Sequence, residues 1–183
     1  MDEVQLVLLA QAGDRKAFEL LLGAVYPSLS RYIVGLVGNT EADDVMQDTA
    51  IQIHRKLRWL REPAYFRPWA YRTASRFAIA HLKKGKRWDS FEDHVELADT
   101  LTFPEDFEAK FLWNDQLQAM ASEVSPASRA VFLLHYQQGN SLEEISAILE
   151  IPIGTVKSRL FYAVRTLRKK FPREDSHEQD PIR

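Results

Sequence analysis

Between Arg67 and Arg87 the chain carries Arg67, Arg72, Arg76, Lys83, Lys84, Lys86 and Arg87, with no acid among them and with Trp69 near the head of the run. On a helix, Trp69, Arg72, Arg76 and Lys83 fall within about 60° of one another. A tryptophan set in a stripe of positive charge suits single-stranded DNA, because bases stack on the ring for roughly 1–3 kcal/mol each while the cations track the backbone. Spacing alone leaves a second reading equally open, in which Trp69 anchors the core at the start of its helix. A second acid-free block runs from Ile151 to Arg173 and holds Lys157, Arg159, Arg165, Arg168, Lys169, Lys170 and Arg173. On its wheel Lys157, Ser158, Phe161, Tyr162, Arg165, Arg168 and Lys169 oppose an apolar arc of Val156, Leu160, Ala163, Val164 and Leu167. Cations on such a face meet phosphates and guanine edges, and aromatic or small side chains meet thymine methyls and sugars. The competing reading packs Phe161 and Tyr162 against a neighbouring helix.

Other chemistries find less support. The five histidines (His54, His81, His94, His135 and His177) show no metal-ligand spacing, and no Ser/His/Asp set is supported locally, so no catalytic residue, metal or cofactor is expected. Asp43, Asp44 and Asp48 cluster but lack the Gly-containing loop that hard-cation sites use, which leaves a solvated face or a protein interface. With no cysteine there is no disulfide framework and no thiolate chemistry. The start, Met1-Asp2-Glu3, is acidic where a secretory signal is basic, and no run of eighteen apolar residues exists, so neither export nor membrane insertion is expected and the cytoplasm is the expected compartment.

The elements that must hold these residues read as helices nearly throughout the 183 residues, which gives an all-α fold. Gly13 ends a first helix and Asp14 caps the next; Pro27 is expected to interrupt that helix, and Gly38 to end the one that follows. Thr40 with Asp43 has capping-pair spacing ahead of an apolar stripe of Ala42, Val45, Met46, Thr49, Ile53, Leu57 and Leu60, and Pro63 closes the helix. Arg67-Pro68 marks a boundary, with Pro68 opening a helix to Lys84 that buries Ala70, Tyr71, Ala74, Phe77, Ala78 and Leu82. Further starts are expected at Thr102 with Glu105, at Ser125-Pro126 and at Ser141 with Glu144; a short turn then leads to Pro152 and a last helix to Lys170. That final pair, two helices joined by about three residues, has helix-turn-helix form. Net charge is only −2, but eight acids from Asp89 to Glu108 separate the two basic blocks. The expected organisation is residues 1–87 as one small helical domain, 88–103 as an acidic linker, 104–173 as a second domain and 174–183 as a polar tail.

Read in order, Glu41-Ala42-Asp43-Asp44-Val45-Met46-Gln47-Asp48, Phe66-Arg67-Pro68-Trp69-Ala70-Tyr71-Arg72, Ser141-Leu142-Glu143-Glu144-Ile145 and Ile151-Pro152-Ile153-Gly154-Thr155-Val156-Lys157-Ser158-Arg159-Leu160 resemble the extracytoplasmic-function group of bacterial sigma factors. The resemblance spans roughly residues 10 to 172. It implies a two-domain initiation factor whose acidic helix, here Asp43, Asp44, Gln47 and Asp48, docks on core RNA polymerase. It implies that Trp69, Arg72, Arg76, Lys83, Lys84, Lys86 and Arg87 engage and open the minus-ten promoter element. Thr155, Lys157, Ser158, Arg159, Phe161, Tyr162 and Arg165 would read the minus-thirty-five element of the promoter DNA. An anti-sigma partner is expected on the same ground. The chain departs from the family's pattern at Arg76, Ala80, Tyr162 and Glu150, the last standing at a turn position often held by Gly or a small polar residue.

Two other functions compete: a helix-turn-helix regulator binding duplex DNA without polymerase, and a helical interaction protein with no DNA role. The sigma-factor reading carries a structural condition. Trp69 must not be sealed in the interior with its neighbouring arginines bonded to the protein's own carboxylates.

Overall fold

The computed structural model describes residues 1–85 and 123–170; the expected linker, the Thr102–Glu105 start, Lys86, Arg87 and the tail lie outside them. Seven α-helices are present in these residues: α1 Glu3–Gln11, α2 Arg15–Val37, α3 Asn39–Lys56, α4 Phe66–Gly85, α5 Pro126–Tyr136, α6 Leu142–Leu149 and α7 Ile153–Lys170. Short 3-10 turns at Leu57–Trp59 and Pro63–Tyr65 join α3 to α4. No strand occurs among the described residues, as an all-α fold requires.

Several boundaries follow from caps visible in the sequence. Gly13 turns at φ +98°, where a side chain would be strained, and the Asp14 carboxylate then accepts from the amides of Lys16 and Ala17 at 2.9 and 3.0 Å. Ser125 caps α5 with Pro126 in its first turn, and Ser141 with Glu144 forms a reciprocal capping box on α6.

Three expectations are corrected. Pro27 does not interrupt α2, which runs unbroken through it. Pro27 and Gly23, whose carbonyl the proline leaves unpaired, are both exposed, so water reaches that carbonyl. Leu21, Val25, Leu29 and Ile33 meanwhile bury one continuous face on both sides of the ring. The pair Thr40 and Asp43 caps nothing: α3 starts at Asn39 directly after Gly38, which ends α2 at φ +86° and leaves no room for a side-chain cap. Helix α4 begins at Phe66, two residues before Pro68, because a first-turn proline forfeits no helical hydrogen bond and Phe66 is fully buried.

Helices α1–α4 form one helical domain and α5–α7 a second, and the two meet where α2 and α4 pack on α5 and where α4 packs on α6. Their apolar faces merge into one core. Gly35 permits a close approach, since a Cβ there would lie 2.9 Å from a Leu133 methyl. Beside it Arg129 is buried on α5 and donates to the Leu36 carbonyl at the C-terminal end of α2, and to Val124 at 2.9 Å. Those carbonyls belong to the orphan set at a helix end and a turn, so a cation satisfies them well. Burial alone draws the Arg129 guanidinium down to about 10, which leaves it charged at neutral pH. Helix α2 has the length and apolar content of a membrane span, but its apolar side faces this core.

Candidate nucleic-acid interface

The face of α4 that turns from the core lines a cleft of about 970 Å³ with the α3–α4 connection. Trp69, Arg72, Thr73 and Arg76 form one wall and Trp59, Arg61 and Tyr65 the other. Trp69 is half-buried: its inner edge packs against Phe66 at 6.3 Å between ring centroids, and its outer part borders the cleft. Both readings of that residue are therefore partly met, because one ring anchors the helix start and lines the opening. The hydroxyl of Thr73 donates to the Trp69 carbonyl at 2.8 Å, fixing the adjacent turn.

Sequence reasoning missed Trp59 and Tyr65, which are 54% and 55% exposed at the rim. Trp59 lies under two cations, Lys56 Nζ at 4.6 Å and the Arg58 guanidinium at 3.9 Å from the ring centroid. The rule applied to Trp69, an aromatic among basic residues, would have found Lys56, Arg58, Trp59 and Arg61 as well. An exposed aromatic platform with flanking cations is suited to stacking bases and tracking phosphates.

The helix is held from behind. Tyr32 is buried and donates to Ser75 Oγ at 2.8 Å, Ser75 in turn donates to the Tyr71 carbonyl at 2.7 Å, and the rings of Tyr32 and Tyr71 meet edge to face at 5.2 Å. Burial raises both phenols above their ordinary range, so they remain neutral donors. Ala70, Ala74 and Ala78 are buried as expected; Phe66, Thr73 and Ser75 are buried in addition.

The expected cations are not all alike. Arg67 pairs with Glu3 at 2.7 Å, and Lys83 is exposed. Arg72 donates through Nε to the Ile148 carbonyl at 2.9 Å and through a terminal nitrogen to the Glu150 carboxylate; Arg76 reaches the other Glu150 oxygen at 3.1 Å. The condition set by the sequence is therefore half met: Trp69 is not sealed, yet its two arginine neighbours are bonded to a carboxylate of this chain. That carboxylate belongs to the other domain.

On α7 the expected core face is observed, with Val156, Leu160, Ala163, Val164 and Leu167 all buried. Lys157, Arg165, Arg168 and Lys169 are exposed on the far side, and Thr155 and Arg159 are half-buried. Ser158 departs from the wheel reading: it is buried, and its hydroxyl donates to the Thr155 carbonyl at 3.1 Å rather than facing outward. Phe161 and Tyr162 are half-buried and lean on each other edge to face at 5.8 Å; Phe161 with Arg165, Arg168 and Lys169 borders a shallow groove. On α3, Asp43, Asp44, Gln47 and Asp48 are all exposed, opposite buried Val45, Met46, Thr49 and Ile53. Among the described residues no cluster of His and acidic side chains has the arrangement of a metal site.

Comparison with known proteins adds an independent line. Residues 21–88 match the model of Sigma-70 region 2, and residues 114–167 that of Sigma-70, region 4. The RNA polymerase sigma-H factor of Pseudomonas aeruginosa is 30% identical over 178 residues, covering 90% of this chain and 91% of that protein. The ECF RNA polymerase sigma-E factor of Escherichia coli K12 is 29% identical over 177 residues, covering 90% and 92%. Among solved structures, CnrH in complex with the cytosolic domain of CnrY shares the fold with a TM-score of 0.64 at 20% identity, covering 92% of this chain and 96% of that one. The sigma factor RpoE in complex with the anti-sigma factor NepR from Bartonella quintana gives a TM-score of 0.64 at 24% identity, covering 87% and 99%.

Proposed function

The chain belongs to the extracytoplasmic-function group of the sigma-70 family, and from that premise we propose how its surfaces divide the work of transcription initiation. It is an alternative sigma factor that joins core RNA polymerase, engages the minus-ten and minus-thirty-five elements and helps open the promoter. The exposed acids of α3 (Asp43, Asp44, Asp48), with Gln47, dock on polymerase. The α4 cleft, with Trp69, Arg72, Arg76 and the rim rings Trp59 and Tyr65, takes bases of the separated strand. Lys83, Lys84, Lys86 and Arg87 are assigned to the phosphates of the same promoter element. Helix α7 presents Lys157, Arg159, Phe161, Tyr162 and Arg165 to the major groove, with Thr155 at its start.

No covalent step belongs to this chain. Opening a promoter costs a few kcal/mol per unpaired, unstacked base, which stacking and phosphate contacts of similar size offset; polymerase supplies the chemistry of RNA synthesis. The cytoplasm is the compartment this work requires. A sequestering anti-sigma factor is the expected protein partner, as for the RpoE–NepR pair.

The observation that carries this reading is an aromatic cleft lined by cations on α4 together with a basic helix-turn-helix on the same chain. Run-off transcription from a promoter library tests it. Specific transcripts are expected only when core polymerase and this chain are both present. Tight sequence-specific binding of naked duplex with no effect on polymerase would favour a regulator that works alone.

A further inference from the structure

Glu150 stands at an unusual place. It is the residue that ends α6, in the turn of the helix-turn-helix, and it adopts the left-handed conformation (φ 54°, ψ 47°), the only non-glycine with positive φ among the described residues. Glycine holds this position without strain, so a side chain here works against its own backbone. The side chain reaches across to the other domain, where its two carboxylate oxygens are shared between Arg72 and Arg76. Arg72 is further committed through Nε to the Ile148 carbonyl, an otherwise unpaired group at the C-terminal end of α6. Glu150 itself lies in the wall of the aromatic cleft.

A carboxylate across two guanidinium groups has the charge and the acceptor geometry of a nucleic-acid phosphate. The nitrogens that hold Glu150 cannot hold DNA at the same time. We propose that Glu150 is an internal substitute for a DNA phosphate, so that the free chain keeps the strand-capturing cleft of α4 occupied while the basic face of α7 stays open. Lys157, Arg165, Arg168 and Lys169 are exposed in this same arrangement, so duplex contact through α7 is available before single-strand capture is. The clasp is built to yield. Glu150 is 53% and Arg76 71% exposed, so salt screens the pair and a polyanion can displace it.

This inference rests on the nucleic-acid reading of α4, and a double-mutant cycle tests it separately from transcription. Binding of a fluorescent 20-nucleotide oligothymidylate to the full chain is followed by anisotropy at low salt. Glu150→Gln is expected to tighten binding about fivefold, since it removes the competing charge but keeps the side chain's size. Glu150→Gly is expected to act in the same direction and relieves the turn, which guards against a folding defect in either variant. In an Arg72→Ala, Arg76→Ala background the same Glu150→Gln change is expected to do nothing. An unchanged affinity in both single variants overturns the proposal. So does an equal gain with and without the two arginines, which would mean that Glu150 merely adds negative charge to the neighbourhood. A chain that drives run-off transcription but shows no coupling would have the function without this device.

Discussion

Trp69 illustrates how one side chain serves packing and, in the proposed function, recognition together. Its inner edge lies on Phe66 and its outer part borders the cleft, so truncation removes both a helix anchor and a stacking surface. Trp69→Ala is expected to weaken strand opening about tenfold, the loss of one stacked base at roughly 1–3 kcal/mol, while association with core polymerase is unchanged. Permanganate reactivity of promoter thymines reads the first quantity and co-purification the second; full reactivity in the variant would remove Trp69 from the mechanism. Arg129 shows the opposite case, a residue whose role the sequence conceals. It sits in the first turns of an apolar helix and reads as a surface charge, yet it is 3% exposed and bonded to backbone carbonyls of two separate segments. No local pattern reports a partner 93 residues away. Its Nε finds no acceptor, so part of its hydrogen-bonding capacity is already forfeited to reach those carbonyls. Arg129→Ala leaves the Leu36 and Val124 carbonyls without this donor and is expected to cost about 2–3 kcal/mol, measured by urea unfolding. A change within about 0.5 kcal/mol, as at an ordinary surface site, would show that water replaces the guanidinium at no penalty.

At the scale of the helix, periodicity and caps were legible where one face of an element meets one neighbour. The buried arc of α7 and the reciprocal cap of α6 emerged as the spacing implied, because both are set by residues within two turns of each other. Pro27 misled because a local rule was outweighed by burial along α2 on either side of it. That competition is measurable. Pro27→Ala restores the amide that the exposed Gly23 carbonyl lacks and removes the ring, and is expected to stabilise the chain by about 1–3 kcal/mol; no gain on thermal unfolding would mean that the backbone has fully relaxed around the ring. Ser158 misled for a finer reason: a wheel assigns faces by angle alone, and α7 is flanked closely enough at that angle to cover a small hydroxyl that bonds its own backbone. Helix α3 offers the cleanest functional test at this scale, since its acids are exposed and its core face is untouched by changing them. Asp44→Lys is expected to change stability by less than about 0.5 kcal/mol and to weaken association with core polymerase. Equal recovery of core enzyme with both proteins would move the docking surface elsewhere.

At the scale of the whole molecule, the contact between domains is the feature that composition and charge did not reveal. Segregated charge pointed to two modules, and each module's elements were readable separately; their joining depends on Gly35 against Leu133 and on Arg129 and Arg72 reaching backbone carbonyls, which are pairings between distant segments. The consequence is geometric. Promoter elements named for positions minus ten and minus thirty-five are centred about 25 base pairs apart, or ~85 Å at 3.4 Å per pair. Helix α4 touches α6 here, and the 20 residues of α4 measure only about 30 Å at 1.5 Å each. In this arrangement the two surfaces proposed to face DNA lie too close together to serve both elements at once, and on that proposal initiation requires the domains to part. A covalent lock tests this directly. A Cβ at Gly35 would lie 3.6 Å from Leu133 Cγ, close to where a cysteine sulfur would sit, and the chain has no other cysteine to compete. With Gly35→Cys and Leu133→Cys, the oxidised protein is expected to lose run-off transcription from a two-element promoter and to recover it on reduction, with the cross-link followed on non-reducing gels. If fully cross-linked protein initiates as well as its reduced form, then parting of the domains is not a step in initiation, and both promoter contacts are made from the joined arrangement seen here.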